Sequence, residues 1–237
     1  MKKALTMALV TAAIAGGNMT AQAYEAGDWI IRVGAATVDP DTDSDAIEIP
    51  TAPPTVLPNG VDVDDDTQVG LIFAYMPEPN FGIELLASTP FDHDILLEDA
   101  PVAAGSTKHL PPTLSLQWYP MGHTDSWFQP YFGLGVNYTI FFDEDVDNEL
   151  KGALEDILGT GLSKASLDLD NSFGLAGQAG LDIFFGDHWA INAGVWYIDI
   201  DTTANVKVRT EGGANAKVKF DVDIDPWVYN IGIAYRF

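Results

Sequence analysis

The sequence predicts an all-β protein: an eight-stranded antiparallel transmembrane β-barrel with long extracellular loops and short periplasmic turns. Three observations predict it. Eight segments alternate large apolar residues with small or polar ones, the apolar faces carry aromatic residues near their ends, and the connections alternate long and short. A period of two marks a strand with one apolar face. A soluble sandwich alternates too, but aromatic belts together with alternating loop lengths belong to outer-membrane barrels.

The N-terminal residues set the address. Lys2 and Lys3 precede the apolar run ALTMALVTAAIAG, and AQA follows at Ala21–Ala23. This is the pattern of a secretory signal peptide, so residues 1–23 are expected to be removed and 24–237 to form the barrel. The leader run is too short to span a bilayer, and no later segment offers the ~18 unbroken apolar residues a helical span needs. Yet 47% of the chain is hydrophobic and only 19% charged, which places the apolar residues in alternation. With no cysteine, an exported domain relies on neither disulfides nor thiol chemistry. The balance of 11 Lys+Arg against 35 Asp+Glu excludes nucleic acid as a partner, because phosphates need a basic face.

The segments follow in order. WIIRVGAATV sets Trp29, Ile31, Val33 and Ala35 against Arg32, Gly34 and Ala36. TQVGLIFAYM sets Val69, Leu71, Phe73 and Tyr75 against Gln68, Gly70, Ile72 and Ala74. FGIELLAST sets Phe81, Ile83, Leu85 and Ala87 against Gly82, Glu84, Leu86 and Ser88. TLSLQWY sets Leu114, Leu116 and Trp118 against Ser115, Gln117 and Tyr119. YFGLGVNYTIFF sets Phe132, Leu134, Val136, Tyr138, Ile140 and Phe142 against Gly133, Gly135, Asn137 and Thr139. SFGLAGQAGLDIF sets Phe173, Leu175, Leu181 and Ile183 against Gly174, Ala176, Gln178, Gly180 and Asp182. WAINAGVWYI sets Trp189, Ile191, Val195 and Tyr197 against Asn192, Gly194, Trp196 and Ile198. The C-terminal WVYNIGIAYRF sets Trp227, Tyr229, Ile231, Ile233, Tyr235 and Phe237 toward lipid and Arg236 toward the lumen. Tyr235 and the terminal Phe237 form an expected assembly signal, with the barrel-assembly machinery as the partner. Outer-membrane lipid and lipopolysaccharide are the expected surroundings.

Several stretches carry a family resemblance: GIELLASTPF, HLPPTLSLQWY, PYFGLGVNYTIFFD, GLAGQAGLDIF, VWYIDIDTTAN and DPWVYNIGIAYRF. As a set, spanning nearly the whole mature chain, they closely resemble the OmpW family of small outer-membrane barrels. The loops depart from it, being longer and rich in Asp. The resemblance implies a narrow, largely hydrophobic channel and uptake of small hydrophobic molecules.

Strand direction orders the inward residues by height. Near the periplasm fall Arg32, Glu84, Gln117, Gln178, Asp182, Asn192 and Arg236; higher up fall Val38, Leu86, Phe141, Trp196, Ile198 and Val228. Arg32, Glu84, Asp182 and Arg236 are expected to form a charge network, because buried charges must pair. Leu86, Trp196, Ile198, Phe141, Val38 and Val228 are the expected ligand-binding residues, with Leu86 and Trp196 placed to form a constriction. An eight-stranded barrel is only just wide enough for its own side chains or one small ligand. The inward Gly34, Gly70, Gly133, Gly174, Gly194 and Gly232 either leave room for that ligand or permit curvature around a packed lumen.

Pro90 ends the third strand and Pro111–Pro112 precede the fourth, its hairpin partner. Proline cannot donate a ladder hydrogen bond, so either pairing simply stops there or the wall opens sideways into the membrane. DPDTDSDAIE and VDVDDDTQ resemble a calcium loop only in Asp spacing, lacking the sixth-position Gly, and read as solvated acidic surface. NELKGALEDILG places Leu150, Leu154, Ile157 and Leu158 on one face of a short helix.

No catalytic residue, metal ligand or cofactor is assigned. His123 and His188 fall in periplasmic turns, and His93 and His109 lie at adjacent strand ends with no inward serine clearly beside them. The function expected is an outer-membrane channel or binding barrel for small hydrophobic molecules, with lateral release into the membrane. The alternative is a surface receptor, adhesin or stress-response barrel acting through its acidic loops.

Overall fold

The structure is a computed structural model and describes residues 23–51, 53–100 and 102–237. Apart from Ala23, the expected signal peptide lies outside the described residues. Eight strands build the wall: β1 (Trp29–Asp39), β2 (Asp66–Glu78), β3 (Phe81–Ser88), β4 (Thr113–Trp118), β5 (Phe128–Val146), β6 (Ser172–Phe184), β7 (Trp189–Ile198) and β8 (Trp227–Arg236). Each pairs antiparallel with the next, and β8 returns to β1 with Ile30 opposite Arg236 and Asp39 opposite Trp227. The sheet therefore closes. Closure is what lipid demands, since hydrocarbon offers no partner to an unpaired N–H or C=O.

Burial follows the alternation. Ile30, Arg32, Ala36 and Val38 point inward and are buried, while Val33 between them is half exposed. Leu134, Phe173 and Leu175 show two-thirds or more of their surface on the outer wall. Aromatic residues rim this apolar band. At the periplasmic end Trp29 meets Tyr75 (ring centroids 5.0 Å), Trp118 meets Phe132 (6.3 Å) and Trp189 meets Tyr235 (4.7 Å). At the other end Tyr197 meets Trp227 (5.2 Å). Amphipathic rings favour the headgroup level at each interface.

The long loops are ordered rather than irregular. β5, 19 residues long, rises beyond the barrel. Past Ile140 it pairs with strand Ala103–Leu110, which pairs with Phe91–Leu97 and, through that, with Val61–Val63. A bulge between Phe142 and Asp145, with Asp143 at φ 54°, bends β5 where it leaves the wall. A second sheet joins Leu162–Leu169, Asp201–Thr210, Asn215–Asp223 and Asp43–Ser44. Loops 143–166 and 204–221, read from the sequence as connections, thus contain ladders. Helix α1 (Asn148–Leu158) starts at Asp147, whose carboxylate accepts from Glu149 N at 2.7 Å, and stops at Gly159 in the left-handed region. Leu154 is buried, with Leu150 and Leu158 packed beside it. Ile157, expected on the same face, stays exposed, because the i, i+4 row runs 150–154–158.

The last rung of closure is Phe237 N donating to Trp29 O at 2.9 Å, with the Phe237 ring 4.7 Å from Tyr235. Deleting Phe237 removes a rung and a belt residue. The yield of heat-modifiable folded barrel in membranes, read by gel shift, is expected to fall; undiminished yield would count against a role for Phe237 in assembly.

Candidate functional site

The lower lumen is built around Arg32. Its Nε and Nη2 meet the two Asp182 oxygens at 3.1 and 2.6 Å, Nη1 meets Glu84 Oε2 at 3.0 Å, and Nη2 also donates to the Tyr119 hydroxyl at 2.9 Å. Asn192 and Tyr24 complete Asp182 at 2.9 and 3.0 Å, and Gln117 completes Glu84 Oε2 at 2.6 Å. The guanidinium carbon lies 4.9 Å from the Tyr131 ring centroid. Arg32, Glu84, Asp182, Gln117 and Asn192 are all fully buried. Such burial is tolerable only because nearly every charged atom finds a partner. Contributions from β1, β3, β4, β5, β6 and β7, with Tyr119 just after β4 and Tyr24 before β1, make this layer a floor across the barrel.

Arg236 was expected in that network, and the structure holds it elsewhere. It donates to the Ala23 carbonyl at 3.0 Å and to the Asp187 carbonyl, and lies 3.9 Å from Asp28. Its guanidinium packs over the Phe184 and Tyr24 rings. β8 delivers it one layer lower, at the periplasmic mouth. The segment before β1 crosses that mouth, with Tyr24 N bonded to Gly122 O at 2.8 Å and Gly27 N to Met76 O at 2.7 Å.

Sequence reasoning placed Tyr119 on the inward face but did not assign it to the floor, and it missed Tyr131, although Tyr131 shares inward parity with Gly133. Tyr24 precedes every strand, and nothing in its neighbours points into the barrel.

Above the floor, Val38, Leu86, Trp196, Ile198 and Val228 join one buried apolar cluster with Phe141. The inward glycines do not leave the lumen empty. A Cβ on Gly194 would meet the Trp196 ring at 2.6 Å, one on Gly133 the Gln178 side chain at 2.8 Å, and one on Gly70 the Asn230 amide at 2.7 Å. Large neighbours fold over these glycines, so the upper lumen is packed. Gly34 and Gly232 instead oppose each other across the β1–β8 seam.

The open space lies higher, between the loops. A cavity of about 80 Å3 is lined by Ile47, Ile49, Val61, Ile95, Leu97 and Phe141, with further apolar residues from the second sheet and Leu150 and Leu154 of α1. Of the six expected ligand residues, only Phe141 lines it. The other five form the packed layer beneath. Periodicity could have shown the chamber: Val218, Phe220, Val222 and Ile224 continue the alternation past the barrel.

The prolines sit where the wall is broken. β3 and β4 pair from Phe81–Trp118 up to Leu86–Thr113, and pairing resumes only at Phe91–His109. Between them, residues 87–90 face residues 110–112 without a ladder. Each edge is satisfied by its other neighbour. Thr89 N donates to Val69 O at 3.0 Å on β2, while Pro112 O accepts from Tyr138 N at 3.1 Å on β5. Asn137 donates to the Thr113 hydroxyl at 3.0 Å and that hydroxyl to Pro111 O at 3.1 Å. Pro90 is exposed, Pro112 half-buried and Pro111 buried.

On the outer surface Asp41, Asp43, Asp45 and Glu48 are exposed. The carboxylates that converge lie elsewhere: Asp199, Asp201 and Asp225 have oxygens within 4.8 Å of one another.

A closed eight-stranded barrel with an apolar outer wall, aromatic belts and ordered loops on one side is a small outer-membrane β-barrel protein. The profile of the OmpW family matches residues 25–237. The chain is similar to outer membrane protein W of Escherichia coli (strain K12), at 42% identity over 237 residues and the full length of both. It is 38% identical over 241 residues to the Vibrio cholerae protein of the same name, again over both full lengths. The crystal structure of OprG from Pseudomonas aeruginosa superimposes with a TM-score of 0.78 at 45% identity, covering 91% of this chain and 98% of that one. The chain belongs to the OmpW family, whose named relatives are proteins of the Gram-negative outer membrane.

The floor makes a prediction of its own. Arg32→Met leaves Glu84 and Asp182 buried against each other, and breaking a buried pair from one side costs about 3–5 kcal/mol. The midpoint of the heat-induced gel shift should fall sharply in this variant. It should recover in part when Glu84→Gln and Asp182→Asn are added, because neutral amides no longer need the guanidinium.

Proposed function

We propose that this barrel takes small apolar molecules from outside the cell into the outer membrane. The solute is captured in the loop chamber and leaves sideways through the break between β3 and β4. One juxtaposition carries the reading: His109 and Phe141 line the chamber, and the His109–Phe91 pair is the first rung above the break. The way down, by contrast, is obstructed by packed side chains and then by the Arg32 floor. Burying apolar surface in the chamber is favourable by roughly 25 cal/mol per Å2. Passing the floor would desolvate polar groups at about 1–3 kcal/mol for each one left unpaired. Sideways exit past Pro90 and Pro111–Pro112 avoids that cost. Leu86 and Trp196 form the layer that the solute touches as it turns. The two chamber histidines bond each other and a backbone carbonyl rather than a hydroxyl nucleophile, which supports binding over catalysis.

Because the chain has no native cysteine, a Ser88→Cys/Leu110→Cys variant can be cross-linked across the break specifically. Uptake of a hydrophobic fluorescent tracer by intact cells should drop on cross-linking and return on reduction. Uptake at the uncross-linked level would exclude lateral release. Trp196→Ala, which removes the large side chain over Gly194, should alter uptake while leaving the barrel folded.

In planar bilayers the protein should give small, sparse currents, since the floor crosses the lumen. Large, steady, sugar-permeable pores would overturn the closed-floor picture.

A further inference from the structure

The chamber lining contains few polar groups, and their hydrogen bonds can be followed one by one. Thr202 gives its hydroxyl to Asp170 O at 2.7 Å and Thr107 to Lys108 O at 3.4 Å. His93 Nδ1 lies 2.6 Å from Asp64 O, and His93 Nε2 lies 3.0 Å from His109 Nε2. His109 Nδ1 is buried and, among the described residues, has no hydrogen-bond partner.

These contacts fix the protons. A carbonyl only accepts, so His93 carries its hydrogen on Nδ1. Burial holds His93 below the ordinary imidazole range and pushes His109 down to about 3, so both rings are neutral near pH 7 with one N–H each. His93 Nε2 is therefore an acceptor, and the hydrogen between the rings belongs to His109 Nε2. What remains on His109 Nδ1 is a bare lone pair. The ring stacks on Phe141 at 5.8 Å and meets Phe91 at 5.5 Å, so a partner must approach along its edge.

A transition-metal ion between the two Nε2 atoms fits this arrangement poorly. One of those nitrogens already carries the shared hydrogen. Asp66, whose charge acts on both rings, is committed to Thr67 N, Gln68 Nε2 and Asp92 N at 2.7–2.9 Å.

We infer that His109 Nδ1 accepts a hydrogen bond from the solute, so that the chamber selects small apolar molecules bearing one hydroxyl, alcohols or phenols, over bare hydrocarbons and ethers. The inference rests on the reading of the chamber as the solute site. Apolar pockets commonly take their specificity from a few such polar groups. A site with an acceptor awaiting a donor discriminates against the analogue that lacks it, because the acceptor then stays unpaired. The cavity has room for on the order of five to eight water molecules at ~10–15 Å3 each, which suits a solute of six or seven heavy atoms.

1-Hexanol and its isomer methyl pentyl ether differ in the donor and little in size. Binding of each to the full-length refolded barrel in detergent micelles is measured by NMR, following chamber methyl groups and the 15N-labelled histidine rings. The alcohol should bind roughly tenfold more tightly than the ether, and only the alcohol should move the His109 Nδ1 resonance. In His109→Phe, which keeps a ring against Phe141, the alcohol-to-ether ratio should drop by about the same factor, correcting for micelle partition. Equal binding of both isomers to the wild-type protein, or a preference that survives His109→Phe, overturns the hydroxyl pairing while leaving the chamber as the solute site. Binding of neither isomer overturns both readings. The Nδ1 resonance in the wild-type protein decides the matter even if the variant does not fold.

Discussion

Ladder closure is the constraint on which everything else in this barrel depends. In hydrocarbon each strand must bond both neighbours along its whole length. The eight strands do so around the circle, except where residues 87–90 face residues 110–112. That break is stable because its edges are finished from behind: β3 is completed by β2, and the prolines, which have no N–H to leave unpaired, give their carbonyls to Thr113, Asn137 and Tyr138. A proline pair at this position removes donors where no acceptor is on offer.

The lumen shows how a narrow barrel is closed without a plug domain. Glycines at inward positions leave room that larger neighbours fill: Trp196 over Gly194, Gln178 over Gly133, Asn230 beside Gly70. The floor layer replaces apolar packing with one guanidinium and two carboxyl groups. The hydrogen bonds from Tyr24, Gln117 and Asn192 make this layer directional, and directionality fixes the bore more firmly than apolar contact alone.

Much of this was legible in the chain. Inward parity placed Arg32, Glu84 and Asp182 together, because a period of two leaves a strand residue only two faces to choose from. Proline chemistry marked the break. Parity could not report height differences of one layer, so Arg236 was grouped with a network that it lies below. Nor could it tell an inward glycine that leaves space from one that a neighbour covers. The chamber was missed for a related reason: the loop strands pair across large sequence separations, as Leu169 with Ala204 and Val222 with Ser44, and their Asp-rich outer faces read as loop. Tyr24 has no strand around it and no parity to read.

The hairpin Phe91–Leu110 has a mechanical consequence. Its two stems continue the two lips of the break upward, and it is attached to the rest of the molecule by the edge it shares with β5 on both sides of the bulge at Asp143 and by its pairing with Val61–Val63. Phe91 and His109, its lowest rung, stand at the upper end of the break, and His109 also lines the cavity. Any displacement of this hairpin relative to β5 would therefore alter the upper edge of the break and one wall of the cavity together.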